Sequence, residues 1–193
     1  MATYLKEHRS WIIREEQVIF SALPWLSVSR QKIELPDGRQ IDDYYQVRSP
    51  SYVEVVPVDK QGQVLLFWRY RHGARRSTLG FAGGFIEPGE SPVTAARREL
   101  QEECALQSNE WADLGARVID GNRGEAKVHV FIAWNCVDAQ AIPSDDLESG
   151  DAFWVGVSEL REYLEAGKFL TLGAFAAALQ VLPFLERRLE QRN

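Results

Sequence analysis

Short alternating runs of apolar and polar residues occupy the first quarter of the chain, followed by denser apolar strands and three amphipathic stretches. Between Trp25 and Val47, WLSVSRQKIEL alternates, PDG is a turn signal and RQIDDYYQV returns, which predicts a β-hairpin. A lone hairpin is marginal in water, so this piece must pack on the rest of the chain or on a second subunit. Ser49-Pro50 marks the boundary, giving an N-terminal β-hairpin extension over 1–48 and a main domain over 49–193. From Tyr52 the strands come quickly. YVEVVPVD and VLLFWRYR flank the turn KQGQ, a loop rich in Gly and Arg follows, and Ser91-Pro92 opens a helix that runs to about Cys104. WADLGARVID and KVHVFIAWNCV read as strands separated by GNRGEA, IPSDDLESGD as an acidic loop, FWVGV as a strand. SELREYLEAG and the stretch from Leu172 to about Gln191 read as helices. Strands mixed with a few helices, without strict alternation, indicate a mixed α+β layered fold.

The helix after Ser91 carries the chemistry. At 3.6 residues per turn, Val93, Ala96, Leu100 and Cys104 share a stripe that should face the core. Arg98 and Glu102 are four apart and can pair. Glu99 and Glu103, also four apart, face each other with no cation from the helix between them. Like charges at that spacing cost roughly 0.2–0.5 kcal/mol on an open helix and more where water is scarce. A divalent cation would remove the penalty, and carboxylate oxygens suit Mg²⁺ or Mn²⁺. The bland reading of such a cluster is a solvated acidic face. The preceding loop, Gly83-Gly84 to Glu90, changes that, because paired glycines let backbone approach a ligand and Pro88-Gly89 makes a tight turn.

Composition narrows the field. The chain has 193 residues, 45% hydrophobic, with a formal net charge of -6, which suits a globular protein and disfavours generic nucleic-acid binding. No run is apolar enough to span a membrane, and the polar start MATYLKEHRS is not a secretion signal. Cys104 and Cys136 lie in apolar neighbourhoods and read as packed thiols in a reducing cytoplasm. His8, His72 and His129 are scattered, and no Cys/His cluster has zinc spacing.

Gly84, five residues, Glu90, seven residues, then Arg98-Glu99-Leu100-Gln101-Glu102-Glu103 resembles the motif of the Nudix hydrolases. One fixed position departs: Ala105 stands where the family has a glycine, the natural C-cap of the helix. The wider layout, an N-terminal β-rich extension followed by YVEVVPVDKQGQVLLFWRYRHG, looks like the branch of ADP-ribose and nucleotide-sugar pyrophosphatases. The resemblance implies an α/β/α sandwich with a mixed sheet and Mg²⁺- or Mn²⁺-dependent hydrolysis of a nucleoside diphosphate derivative. It also implies a homodimer built through the extension. Carried over by position, Glu99 and Glu103 would be metal ligands, Glu102 a ligand or positioning group, and the Gly83 carbonyl would complete the cluster. Arg98 and Glu90 would brace the loop against the helix. The base or water-positioning residue would come from SDDLESGD, with Glu148 the candidate and Asp145, Asp146 and Asp151 its rivals.

For the substrate, Arg69 and Arg71 are two apart at a strand end and share a face, so they and the following Arg75 and Arg76 could hold a diphosphate. Phe81, Trp25 or Trp68 could stack on a base, although core packing is the commoner use of such rings. Gly80 stands where the ADP-ribose branch often has a glutamate, and the stretch around Gly121-Asn122-Arg123 lacks that branch's proline. ADP-ribose is therefore the leading substrate among several nucleotide sugars. A catalytically inactive Nudix-fold binding module is the alternative.

Overall fold

The computed structural model describes residues 8–142 and 150–191. The chain divides into two compact units, one comprising Met1–Pro50 with Val118–Ala126 and the other Ser51–Arg117 with Lys127–Asn193.

The first unit contains a three-stranded antiparallel sheet of β1 (Ile12–Ala22), β2 (Leu26–Glu34) and β3 (Gln40–Arg48), in that order. The predicted hairpin is present as β2 and β3, and β1 is an added edge strand. IIREEQVIFSA has no clean period of two because irregularities in the pairing fall between Ile13 and Glu15 and between Val18 and Phe20. Each such bulge switches the face on which later side chains emerge. The segment Val118–Ala126 joins this unit, not the one suggested by its place in the chain. The Val47 N–H donates to the Arg123 carbonyl, the Tyr44 hydroxyl donates to the Asn122 carbonyl, and a Cβ on Gly124 would collide with the Val47 carbonyl. These are long-range pairings that local sequence does not encode.

The second unit holds the remaining elements: β4 (Tyr52–Pro57), β5 (Val64–Arg71), β6 (Arg76–Gly80), α1 (Pro92–Cys104), β7 (Leu106–Gln107), β8 (Glu110–Val118, its last residue in the first unit), β9 (Lys127–Trp134), β10 (Val137–Asp138), β11 (Gly150–Val155), α2 (Val157–Glu165) and α3 (Leu172–Glu190). The strands form the orders β4-β9-β8, β11-β5-β6 and β10-β7, with β4 and β9 parallel. The layering follows from period-two alternation within each strand. Val53, Val55, Leu65, Phe67, Phe131 and Ala133 pack with Ala95, Ala96 and Leu100 of α1. Their neighbours Val56, Val64, Leu66, Val130 and Ile132 pack with α2 and α3. Both faces of these strands are covered, so their sequences read as nearly continuous apolar runs. This is the expected mixed α/β/α arrangement. No described helix is long and apolar enough to cross a membrane.

The ends of α1 show their chemistry plainly. Ser91 is the N-cap, its hydroxyl accepting from Thr94 N at 3.2 Å, and Pro92 follows in the first turn. Ala105 closes the helix in the left-handed region, φ 51° and ψ 38°, donating its N–H to the Gln101 carbonyl. A Cβ is unfavourable there and glycine carries no such penalty. Ala105→Gly is therefore expected to stabilise the fold by about 1 kcal/mol, read as a rise in Tm. An unchanged or lower Tm would show that the cap is not strained. One predicted core position is corrected. Val93 is 40% exposed, and Ala95, Ala96, Glu99 and Leu100 are the buried residues of α1.

Candidate active site

The loop before α1 is tied to the helix by one arginine. Arg98 Nε donates to Glu90 Oε1 at 3.2 Å, Nη2 to Glu90 Oε2 at 3.2 Å and to the Phe85 carbonyl at 3.0 Å. Its Nη1 donates to Glu99 Oε1 at 2.7 Å and to Glu102 Oε2 at 2.9 Å. The predicted Arg98–Glu102 pair is thus one arm of a larger hub. Burial opposes the guanidinium charge, yet the bonds to Glu90, Glu99 and Glu102 outweigh it and hold Arg98 above its ordinary range. The same bond holds the Glu90 carboxyl below its usual range. The planar guanidinium suits this task because it offers five donors in fixed directions.

Glu103 is neutralised from another element. Arg69 Nη1, on β5, donates to Glu103 Oε1 at 2.9 Å, and the two side chains are 7% and 5% exposed. Glu103 Oε2 accepts from Gly83 N at 3.1 Å. Burial pushes the Glu103 carboxyl up to about 7 despite Arg69. Glu99 and Glu103 do share a side of α1, as the spacing predicts. The expectation that no cation of the helix offsets them is corrected at Glu99, which Arg98 of the same helix reaches, and Arg69 of β5 reaches Glu103. A metal is therefore not required for the helix to tolerate its acids, and what would favour one is hard oxygen donors and close approach of backbone.

Both of those are present. A Cβ on Gly84 would lie 2.9 Å from Glu99 Oε2 and closer still to its other oxygen, so the glycine makes the room that this carboxylate fills. Gly83 lies against β4, where a Cβ would collide with the Val53 carbonyl. Glu99, Glu102, Glu103 and the nearby loop carbonyls are hard oxygen donors, which fit Mg²⁺ or Mn²⁺ and not zinc. Among the described residues no group of three His, Cys, Asp or Glu side chains is arranged to hold a metal ion unaided.

The other predicted residues are distributed unevenly. Arg69 is buried over the Phe67 ring, 3.7 Å from its centroid, and engaged with Glu103, so it supports the acidic helix from behind. Arg71, at the end of the same strand, is only partly buried. Phe81 is corrected as a base-stacking residue. It is 1% exposed and stacked on Phe169 with centroids 5.7 Å apart, which leaves no open face. Trp25 and Trp68 are exposed. Asp151 lies exposed at the start of β11, paired across to Trp68. Asp145, Asp146 and Glu148 fall outside the described residues.

Sequence reasoning missed Glu54. It stands on β4 among Val53, Val55 and Val56 and is 9% exposed. Burial pushes its carboxyl up to about 8, with Arg71 pulling down and Glu103 pushing up. The signal was visible as a single acid inside the otherwise apolar strand YVEVVPVD.

The description of the NUDIX domain matches residues 48–172. The chain belongs to the Nudix family. Residues 11–47 of this Nudix hydrolase match a second description, the nucleoside diphosphate sugar hydrolase N-terminal domain. The Nudix chain is 26% identical over 172 residues to the CMP-5'-(N-acetyl-N-hydroxy-3-aminopropyl)phosphonate hydrolase of Streptomyces rubellomurinus (strain ATCC 31215), covering 89% of this chain and 82% of that one. It is 28% identical over 121 residues to the ADP-ribose pyrophosphatase of Bacillus subtilis (strain 168), covering 63% of this chain and 64% of the relative. A crystal structure of an ADP compounds hydrolase superimposes with a TM-score of 0.81 at 21% identity, over 95% of this chain and 98% of that one, a likeness of fold.

Proposed function

We propose that this Nudix hydrolase cleaves the pyrophosphate bond of a nucleoside diphosphate derivative, with ADP-ribose or another nucleotide sugar as the leading substrate. Water adds to one phosphorus as the bridging P–O bond breaks, giving a nucleoside monophosphate and a sugar phosphate. The observation that carries this reading is the convergence of Glu99 and Glu103 on the Gly83-Gly84 peptide, braced by Arg98 and Arg69. The relatives named for ADP-ribose and CMP-phosphonate hydrolysis support the substrate class.

Glu99 and Glu103 would hold Mg²⁺ or Mn²⁺, with Glu102 and the Gly83 carbonyl beside them. The cation, when bound, would neutralise phosphate oxygens and lower the pKa of the attacking water. Arg98 keeps Glu99 and Glu102 in place and fixes the loop through Glu90 and Phe85. Arg71 is the diphosphate contact, and Arg69 holds Glu103. Glu148, with Asp145, Asp146 and Asp151 as alternatives, would take the proton from water. The test is hydrolysis of ADP-ribose, GDP-mannose, other nucleotide sugars, dinucleoside polyphosphates and NADH, each with Mg²⁺ and with Mn²⁺, read as phosphate freed from the monophosphate products by an added phosphatase. Turnover of at least one nucleotide sugar is expected. No turnover of any of them, with tight nucleotide binding retained, would favour a binding module instead.

The first unit is proposed to mediate a homodimer. Val18, Phe20 and Trp25 are exposed, and β1 is an edge strand of its sheet among the described residues. Val18→Lys combined with Phe20→Lys is expected to shift sedimentation from dimer to monomer. A dimer that survives both changes would place the interface elsewhere.

A further inference from the structure

Among the described residues Glu54 has no hydrogen-bond or ion-pair partner, although it is 9% exposed. Burying such a group without a partner costs several kcal/mol, and each such group calls for an explanation. The neighbouring Tyr52 hydroxyl likewise makes no hydrogen bond among the described residues, and burial pushes it up to about 12. Both oxygens border Gly173. A Cβ on Gly173, in the first turn of α3, would collide with Tyr52 Oη and stand 3.2 Å from Glu54 Oε1. The chain thus leaves this turn bare where two polar groups converge. Both groups also feel the charge of Arg71.

The spot adjoins the site already described. Val53 N donates to the Gly84 carbonyl at 2.9 Å and Val55 N to the Ala82 carbonyl at 2.8 Å, so Glu54 sits opposite Gly83. A Cβ on Gly83 would approach the Glu54 Cα at 3.3 Å. Gly83 is therefore flanked by Glu103 on one side and by the Glu54 backbone on the other. An apolar residue at 54 would suit the strand better, since Val56 continues the same face into the core.

We propose that Glu54, with the Tyr52 hydroxyl, is a specificity-determining residue that hydrogen-bonds hydroxyl groups on the sugar side of the scissile diphosphate. The proposal deepens the pyrophosphatase reading and rests on it. A carboxyl that accepts and, when protonated, donates, a phenol that donates or accepts and an arginine nearby form a set that matches vicinal hydroxyls. A buried acceptor left without its donor discriminates strongly against ligands lacking it.

The experiment compares Glu54→Gln and Tyr52→Phe with the native protein on two substrates, ADP-ribose and the methyl ester of ADP, which keeps the diphosphate and lacks the second sugar. Expected for each variant is a roughly tenfold higher KM for ADP-ribose, with kcat within about threefold. KM for the methyl ester should stay unchanged. Because the carboxylate is a burden to folding, the Tm of Glu54→Gln should hold or rise, whereas a structural role would lower it. Equal KM changes for both substrates, or none for either, would overturn the proposal while leaving the hydrolase reading intact. A native protein that cleaves neither these substrates nor any other nucleotide sugar would overturn that reading, and this proposal with it.

Discussion

Glu103→Gln is expected to cut turnover about 100- to 1,000-fold, the scale on which removal of one preorganised electrostatic group acts. The amide keeps the shape of the side chain, and its carbonyl can still accept from Gly83 N, bonded at 3.1 Å in the native protein. What disappears is the charge. Arg69 then lies buried without its carboxylate, since both side chains of the pair are almost fully enclosed. Breaking such a pair from one side costs up to about 3–5 kcal/mol, and the single retained hydrogen bond offsets only part of it, because the amide NH₂ then faces the Arg69 donor. The two effects separate experimentally. Circular dichroism should report a folded protein with a lowered Tm, and activity measured well below that Tm should still be lost. The Mn²⁺ affinity of the variant, titrated by calorimetry, should fall as well. Native-like turnover would remove Glu103 from the machinery and leave it as a structural partner of Arg69.

Arg98→Ala should be the most damaging single change outside the acids. One guanidinium serves three carboxylates and the Phe85 carbonyl. Without it Glu90 and the loop are no longer tied to α1, and Glu99 and Glu102 repel each other and Glu103. Because the Arg98 side chain is about a quarter exposed, water screens part of the loss, and about 2–3 kcal/mol of destabilisation is expected. Activity should fall by at least the same factor as for Glu103→Gln, because the loop and two of its acids move together. Arg98→Lys is a sharper test. A lysine is a compact charge without a planar fork, so it should recover some stability but little activity. Full recovery of turnover by lysine would mean that only charge, and not directed hydrogen bonding, is needed at this position.

Much of the site was readable because its pieces are close along the chain. Ser91, Pro92, Glu99, Glu102, Glu103 and Arg98 lie within one helix and its cap, and helical periodicity places them relative to one another. Ala105 is a similar case: the helix end demands a left-handed residue, and the alanine in that conformation shows the demand being met at a cost. The strands of the main unit were readable for the same reason, since burial on both faces leaves near-continuous apolar runs. The failures are of another kind. β1 was hidden by bulges that break its alternation, and Val118–Ala126 paired with β3 across more than seventy residues.

The amino-acid order alone therefore determined the helix, its caps, the acidic stripe, the Arg98–Glu102 pair and the layered fold, because each depends on spacings of a few residues. The tertiary structure decided which charges meet. It brought Arg69 from β5 to Glu103, turned Phe81 into the core against Phe169, and set Glu54 and Tyr52 beside the bare first turn of α3. Electrostatic and hydrogen-bond partners act through space, so residues far apart in the chain become neighbours only when the sheet and helices pack.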